Sequence, residues 1–387
     1  MPNRPPPLRT DTSNAFARQT VGERLPSIFR DTVQRNPDYP QQIKDAVLAL
    51  AEDLESDREL PMLDLPAPDY HLWQPKLAAR PGERWLQSEW IFAEPYAYRL
   101  LIQAVRFWQT LRDPFAPIKA EEYATDALWL MLGEALERHA EPGSAEDHIS
   151  AALYAALWGN RMDLSFAASL AHGTATRDDD LLVDDSAVLV AAFTAQPGQN
   201  VHIVADNAGT EFTMDLVLAD VLLKHGVGRV CFHLKMHPTY VSDTTVPDVL
   251  NFIRTLESGE RGTAALDFGK RLREALETDR IRLIPDFFWN GSGFLWDLPP
   301  HLLSVFDGPT LTKGDLNYRR LVGDAIWVPE TPFAEVMDYF SMPIGTLRTL
   351  KSDPIVGLPE GLVAQLDTID SEWRVNGRRG VIQAKHG

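Results

Sequence analysis

The chain reads as an α/β protein: a Rossmann-like α/β/α sandwich with a mostly parallel sheet, preceded by an α-helical N-terminal domain. Three observations predict this. Residues 20 to about 140 carry apolar side chains at three- and four-residue spacing, the period of a helix. After about residue 178, short apolar runs alternate with helical stretches, the pattern of a sheet covered by helices. The length, 387 residues, exceeds what one compact domain usually holds and favours two units. The expected organisation is a disordered tip over 1–19, a helical domain over 20–150 and a metal-binding α/β domain over 151–387.

In order along the chain, the tip carries Pro2, Pro5, Pro6 and Pro7 with no apolar periodicity, hence the expectation of disorder. VGERLPSIFRDTVQRN, QQIKDAVLALAEDLES, PYAYRLLIQAVRFWQTLRD and EEYATDALWLMLGEALERHA follow as helices. DLPAPDYHLWQPKLAARPGERW reads as a Pro-rich surface connection between the second and third. In the second half DLLVDDS, NVHIVADNAG, GRVCFHLKMHP, RIRLIPDFFWN and PTLTKGDLNYR each read as a strand running into a polar loop. FTMDLVLADVLLKHG, VPDVLNFIRTLES and GKRLREALETD read as intervening helices.

Composition narrows the function. Hydrophobic content of 44% and charge of 24% are those of a globular protein with a sizeable core. A formal net charge of −18 without a basic stripe argues against nucleic acid as a partner. It also means that an anionic substrate needs local positive charge, from a metal or a few Lys and Arg. The single cysteine, Cys231, excludes intrachain disulfides and cysteine-rich zinc sites, and suits a reducing compartment. No signal-like segment and no run of about 18 apolar residues is present, so a cytoplasmic protein without a membrane partner is expected. The oligomeric state stays open.

In parallel sheets ligands sit beyond the carboxyl ends of the strands. Those ends deliver Asp184-Asp185-Ser186, Asp206-Asn207, the stretch from His233 to Asp243, Asp286 to Asn290, and Lys313-Gly314-Asp315. Any one acid here has a plain explanation, because Asp and Asn favour turns and helix N-caps. Five ends alike suggest a hard-cation site of oxygen ligands beside an anion site. Asp206 and Asn207 are adjacent, and both reach one ion only if the strand has ended; Gly209 supplies the turn. The helix starting near Glu211 then points its first N–H groups toward the same place, a seat for phosphate. Lys235 is a candidate phosphate contact, and Arg348 with Lys351, three apart, share one helical face. His233 and His237 have helical metal-pair spacing but sit in a strand and its loop, which favours hydrogen bonding or packing.

Taken together, LWGNRMDLS (157–165), LLVDDS (181–186), VADNAGTEFTMDLVLADVLL (204–223), HLKMHPTYVSDTT (233–245), KGDLNYRRLVGDAIW (313–327) and LRTLK (347–351), with SEWIFAEPYAYRL (88–100), resemble the damage-control phosphatase family. Arg348-Thr349-Leu350-Lys351 resembles the Arg-Thr-x-Lys motif of its third subfamily, which includes sugar-phosphate phosphatases and a so-called acidic-residue methyltransferase. The resemblance implies that Asp206, Asn207 and Asp243 bind the divalent metal, whether Mn²⁺, Mg²⁺, Co²⁺ or Ni²⁺. It implies substrate contacts from Asp315, Asn317, Arg319 and Lys351, with Arg348, Asn160 and Asp163 as further site-facing positions. Glu211 corresponds to the position assigned to a methyl donor where a methyltransferase role has been claimed. Thr210 departs from the family, which has an aromatic there, and the departure bears on the pocket wall.

The function expected from all this is a metal-dependent phosphatase acting on small phosphorylated metabolites, sugar phosphates such as fructose phosphates. Asp206, Asp243 and Asp315 are the expected catalytic carboxylates, Asp315 orienting water or binding sugar hydroxyls. One alternative is an S-adenosylmethionine-dependent methyltransferase of acidic side chains, against which the chain offers only the weak GVGR at 226–229 in place of a Gly-x-Gly-x-x-Gly turn. The other is a non-catalytic binding protein descended from the enzyme.

Overall fold

A computed structural model describes residues 4–64, 67–159 and 180–386. Its centre is a seven-stranded sheet: β1 (Leu181–Asp184), β2 (Asn200–Val204), β3 (Arg229–Lys235), β4 (Ile281–Asp286), β5 (Thr310–Lys313), β6 (Ile344–Thr349) and β7 (Gly380–Lys385), in the order β1-β7-β6-β5-β2-β3-β4. The five strands from β6 to β4 are mutually parallel. β7 is antiparallel to β6, and β1 is parallel to β7, so this pair runs the other way. The α/β reading therefore holds, as a mostly parallel sheet.

The topology places the site. From β2 the chain winds outward through β3 to β4, then returns to the far side of β2 to lay down β5 and β6. β2 and β5 are thus neighbours whose following segments depart in opposite senses, the arrangement that opens a crevice at the carboxyl edge. Asp206-Asn207 and Gly314-Asp315 leave from its two sides. The reversed direction of β1 corrects one expectation: Asp184-Asp185-Ser186 emerges at the opposite edge. There Asp184 accepts the Ser186 N–H at 3.0 Å and Asp185 accepts the Ala384 N–H at 2.9 Å, which are turn and capping duties.

Alternating strand residues supply two cores. Val201, Ile203, Val230, Phe232 and Leu311 face the helices Asp126–Ala140, Ala145–Trp158, Thr210–Lys224, Val246–Glu257 and Thr263–Glu277. Val204, Ile344 and Val381 face the helix Gly314–Val322 and the aromatic segments around Trp289 and Trp373. A third core joins the helices Leu25–Arg35, Gln41–Glu55 and Trp90–Ala104. Helices before residue 150 are therefore shared between cores, since 126–140 and 145–158 pack on the sheet. Tyr240 and Val241, in the loop after β3, reach into the helical core.

Three local expectations change. The Pro-rich connection contains a helix, Tyr70–Ala78, whose Trp73 is buried and hydrogen-bonded to Asp69. The segment after β5 is a helix, Gly314–Val322, and no polar loop. The tip, expected to be disordered, is docked from residue 4: Leu8 N–H donates to Asp324 O at 2.7 Å, Trp90 N–H to Leu8 O at 2.8 Å, and Thr10 is fully buried between Trp85 and Ser88. Proline there fixes an extended backbone that still pairs through its neighbours' amides. No helix among the described residues is long and apolar enough to cross a membrane.

Because Leu8 and Thr10 are buried and make three backbone–backbone hydrogen bonds to the rest of the chain, deleting residues 1–10 is expected to lower the unfolding free energy by about 2 kcal/mol. Urea melts of the shortened chain check this; an unchanged midpoint would mean that the tip contributes nothing.

Candidate active site

Beyond the carboxyl ends of β2, β3, β5 and β6 lies a cavity of roughly 430 Å³. Asp206, Asn207, Asp243, Asp315, Arg319 and Lys351 all line it, although they span 146 positions of the chain (351 less 206, both ends counted). The sheet edge supplies one part of its wall and the N-terminal helices the rest.

Asp206 and Asn207 follow β2 where the ladder has ended. The Thr244 N–H and hydroxyl both donate to the Asp206 carbonyl, at 2.8 and 3.0 Å, and an isolated bridge pairs Asn207 with Asp243. That tie brings the third expected metal ligand across from the loop after β3. Tyr240 and Val241 in this loop have positive φ, 47° and 68°, a conformation that costs a β-branched residue in particular. Packing pays the cost: the Tyr240 ring lies 4.9 Å from that of Tyr98. The Asn207 amide is fully oriented, donating to Asp206 Oδ2 at 2.9 Å and Glu211 Oε2 at 3.0 Å while accepting from Ser242 Oγ at 2.7 Å.

Negative charge accumulates here. Burial raises the Asp206 carboxyl well above the ordinary range, and the charges of Glu211 and Asp243 add to it. Burial likewise raises Asp243, against the pull of Lys235 and Lys119. Lys235 Nζ lies 3.2 Å from Asp243 Oδ2, yet the two are not aligned for a hydrogen bond, and both atoms are buried without such a partner. Two carboxylates, of which Asp243 keeps a buried Oδ2 without a hydrogen-bond partner, together with the Asn207 amide are a donor set that fits a hard divalent cation. Among the described residues no cluster of three or more His, Cys, Asp or Glu side chains is poised for a metal; here the third donor is the amide of Asn207.

Gly314 lets the crevice close. Its φ is +82°, and a Cβ there would stand 1.9 Å from Asp206 Oδ2. Asp315 follows, with its Oδ1 accepting from Arg348 Nε at 2.8 Å and from the Lys351 N–H at 3.1 Å. Burial opposes its charge, but Arg348 and Arg319 hold the carboxyl below its usual range, so Asp315 is an acceptor at neutral pH.

Several expected contacts sit elsewhere. Lys235 lies beneath Asp243, 3.2 Å from its Oδ2, and outside the cavity lining, with its pKa lowered by burial, so it faces the carboxylate and not the cavity. Arg319 lines the cavity, but its guanidinium is bound to Asp324 at 2.7 and 3.0 Å and to Glu94 at 3.0 Å, and stacks on Trp90. Arg348 and Lys351 do not share a helical face: β6 runs through Thr349, Arg348 is fully buried against Asp315, Ser352 and Pro354, and Lys351 emerges past the strand end, exposed. Asn317 is buried, its amide donating to Ala205 O and Lys313 O at 3.2 and 2.8 Å, where it braces the β2 and β5 ends. Glu211 is bound by Lys313 at 3.0 Å behind Asn207 and is not part of the cavity lining. His233 stacks on Phe306 and bonds His202, whereas His237 bonds Pro238 O and Asn290, so the two histidines serve packing. Asn160 and Asp163 lie outside the described residues.

The seat expected for phosphate on the 210–224 helix is taken by the protein itself. Glu122 Oε1 accepts the Thr210 N–H at 2.8 Å, and the Tyr123 hydroxyl accepts the Gly209 N–H at 3.1 Å. Gly209, at φ +75°, has the Glu122 carboxylate 2.1 Å from where a Cβ would be. Thr210 is buried under this clasp and lies outside the cavity lining. Glu122, which clasps the helix start, and Arg24, which lines the cavity, are the residues that sequence reasoning missed. Glu122 and Arg24 lie in ordinary helical stretches, and no motif marks them.

Comparison with known proteins gives a consistent picture. The family profile described as "Damage-control phosphatase ARMT1-like domain" matches residues 20–366. The protein named "Damage-control phosphatase ARMT1" from Xenopus tropicalis is 30% identical, covering 95% of this chain and 96% of that protein. Its namesakes from Danio rerio and Homo sapiens are 29% and 26% identical, each covering 98% of this chain and 96% and 98% of theirs. A crystal structure of a DUF89 family protein from Pyrococcus horikoshii superposes with a TM-score of 0.47 at 14% identity, over 93% of this chain and 97% of that one.

Gly314→Ala is expected to displace the Asp206 carboxylate, weakening Mn²⁺ binding at least tenfold by calorimetry, because both the added methyl and the positive φ are disfavoured. Binding within threefold of wild type would show that Asp206 is not a ligand.

Proposed function

The chain belongs to the damage-control phosphatase family, and we propose that it is a metal-dependent phosphatase of small phosphorylated metabolites, sugar phosphates among them. The observation that carries this reading is the convergence of Asp206, Asn207, Asp243, Asp315 and Lys351 on one cavity at the switch point of the sheet. Asp206, Asn207 and Asp243 would hold Mn²⁺, Mg²⁺, Co²⁺ or Ni²⁺, which when bound polarises a phosphoryl oxygen and acidifies water.

The chain's own groups do the rest. Lys351, exposed in the cavity and without an ion pair among the described residues, supplies positive charge for the phosphoryl oxygens. Asp315, held ionised by Arg348, accepts a hydrogen bond from water or from a substrate hydroxyl. Arg319 fixes the wall by binding Glu94 and Asp324 together. The methyltransferase alternative loses its chief residue, since Glu211 is engaged by Lys313 and Asn207.

Phosphate release from a panel of sugar phosphates, with each metal and with chelator, tests the reading; turnover should vanish with chelator. Lys351→Met keeps the stem and removes the charge. It is expected to lower kcat/KM about 100-fold, or roughly 2.7 kcal/mol of transition-state stabilisation, with melting temperature unchanged. A change below threefold would place the phosphoryl group elsewhere. Asp243→Ala is a poorer probe, because it strands the buried Lys235 charge and is expected to cost about 3 kcal/mol of stability as well.

A further inference from the structure

The N-terminal helices give the cavity a wall of a different character. Phe16, Leu25, Ile28 and Trp90 make it apolar. The carboxylate among the described residues of this wall, Glu94, is buried and held by Arg319 at 3.0 Å. Into this surround the chain places Arg24. It is exposed, lines the cavity, and forms no ion pair among the described residues.

The local backbone is unusual at this point. Thr20–Arg24 forms a π-helical turn between the helices Ala15–Gln19 and Leu25–Arg35, closed by the Leu25 N–H on the Thr20 carbonyl. Such single wide turns recur at functional sites, because the extra residue re-aims the side chains around it at some cost in hydrogen-bond geometry. Thr20 and Arg24, the two ends of the turn, both line the cavity. Of the three cations in that lining, Arg319 is spent on two carboxylates and Lys351 stands at the sheet edge beside Asp315. Arg24 is the one presented from the helical wall, in a protein whose net charge is −18. An arginine so placed matches a carboxylate or phosphate bidentately.

We propose that Arg24 binds a second acidic group of the substrate, so that the preferred substrate is a phosphomonoester carrying a further phosphate or carboxylate. The phosphoryl group to be removed sits at Asp206, Asp243 and Lys351, and the second anion sits on Arg24. This rests on the phosphatase reading for the assignment of ends, but binding can be measured apart from turnover.

Calorimetry on the Mn²⁺-loaded protein compares non-hydrolysable phosphonate analogues of fructose 6-phosphate, fructose 1,6-bisphosphate and 6-phosphogluconate, so that no hydrolysis accompanies binding. Wild type is expected to bind at least one of the two dianionic-plus-acid ligands at least tenfold more tightly than the monophosphate; which one tells phosphate from carboxylate. In Arg24→Met that gap should fall within threefold, and Arg24→Lys should keep part of it. Arg24 is exposed, so both variants should melt with wild type, and Arg24→Gln serves if the methionine variant does not. With the phosphate esters themselves, the loss should appear in KM for the doubly acidic substrate and not in kcat, the mark of binding lost equally from ground and transition states. No gap in wild type, or a gap that survives in Arg24→Met, overturns the inference. A gap that depends on Arg24 in a protein releasing no phosphate with any metal would instead overturn the phosphatase reading and leave this one standing.

Discussion

Burying carboxylates at a sheet edge is costly, and the arrangement around β2 and β5 answers that cost. Asp206, Glu211, Asp215, Asp243 and Asp315 all cluster there, in a medium where an unpaired charge is expensive. Lys313 sits between Glu211 and Asp215 at 3.0 and 2.8 Å. Burial still drives the Asp215 carboxyl up to about 7, with Glu211 adding to it against the pull of Lys313. Lys235 lies beneath Asp243, and Arg348 holds Asp315. What these cations leave uncompensated is Asp206 with one oxygen of Asp243. The site is a deficit of positive charge built to a defined place, and a divalent ion is the natural remedy.

The same constraint explains the long-range ties. The loop from 236 to 243 carries Asp243 to Asn207 only by accepting positive φ at Tyr240 and Val241, and those two side chains are anchored in the helical core. Glu122, on the helix Ala116–Tyr123, clasps the start of the 210–224 helix. The helical part is therefore a structural member of the site, holding the loops that carry Asp206, Asn207 and Asp243 in place from outside the sheet. Arg319 does similar work by joining Glu94 of the helices to Asp324.

Strand-helix alternation and strand-end acids were legible because each is local. The DNAG stretch announces a strand end, a turn and a helix within a few residues, and Asp206, Asn207 and Asp243 do converge. The direction of β1 was not legible, because it depends on β7, nearly two hundred residues later. Strand and helix were confused at Arg348-Thr349-Leu350-Lys351, since four residues fit either period. Lys235 and Arg319 lie beside the site as expected, but Asp243, Glu94 and Asp324 already face their charges: sequence shows a cation near a site, and only packing shows what it pairs with. Glu122 and Arg24 carry no pattern at all, as a residue that acts across a tertiary contact leaves no trace in its own neighbourhood.

The central claim is that the uncompensated charge at the β2 end is a cation site. An anomalous difference map from a crystal soaked in Mn²⁺ addresses it directly. The account requires one strong peak per chain, in contact with the Asp206 and Asp243 carboxylates and the Asn207 amide oxygen. A peak confined to the packed histidines His139, His148 and His225, or no peak beside Asp206 at millimolar Mn²⁺, would contradict it.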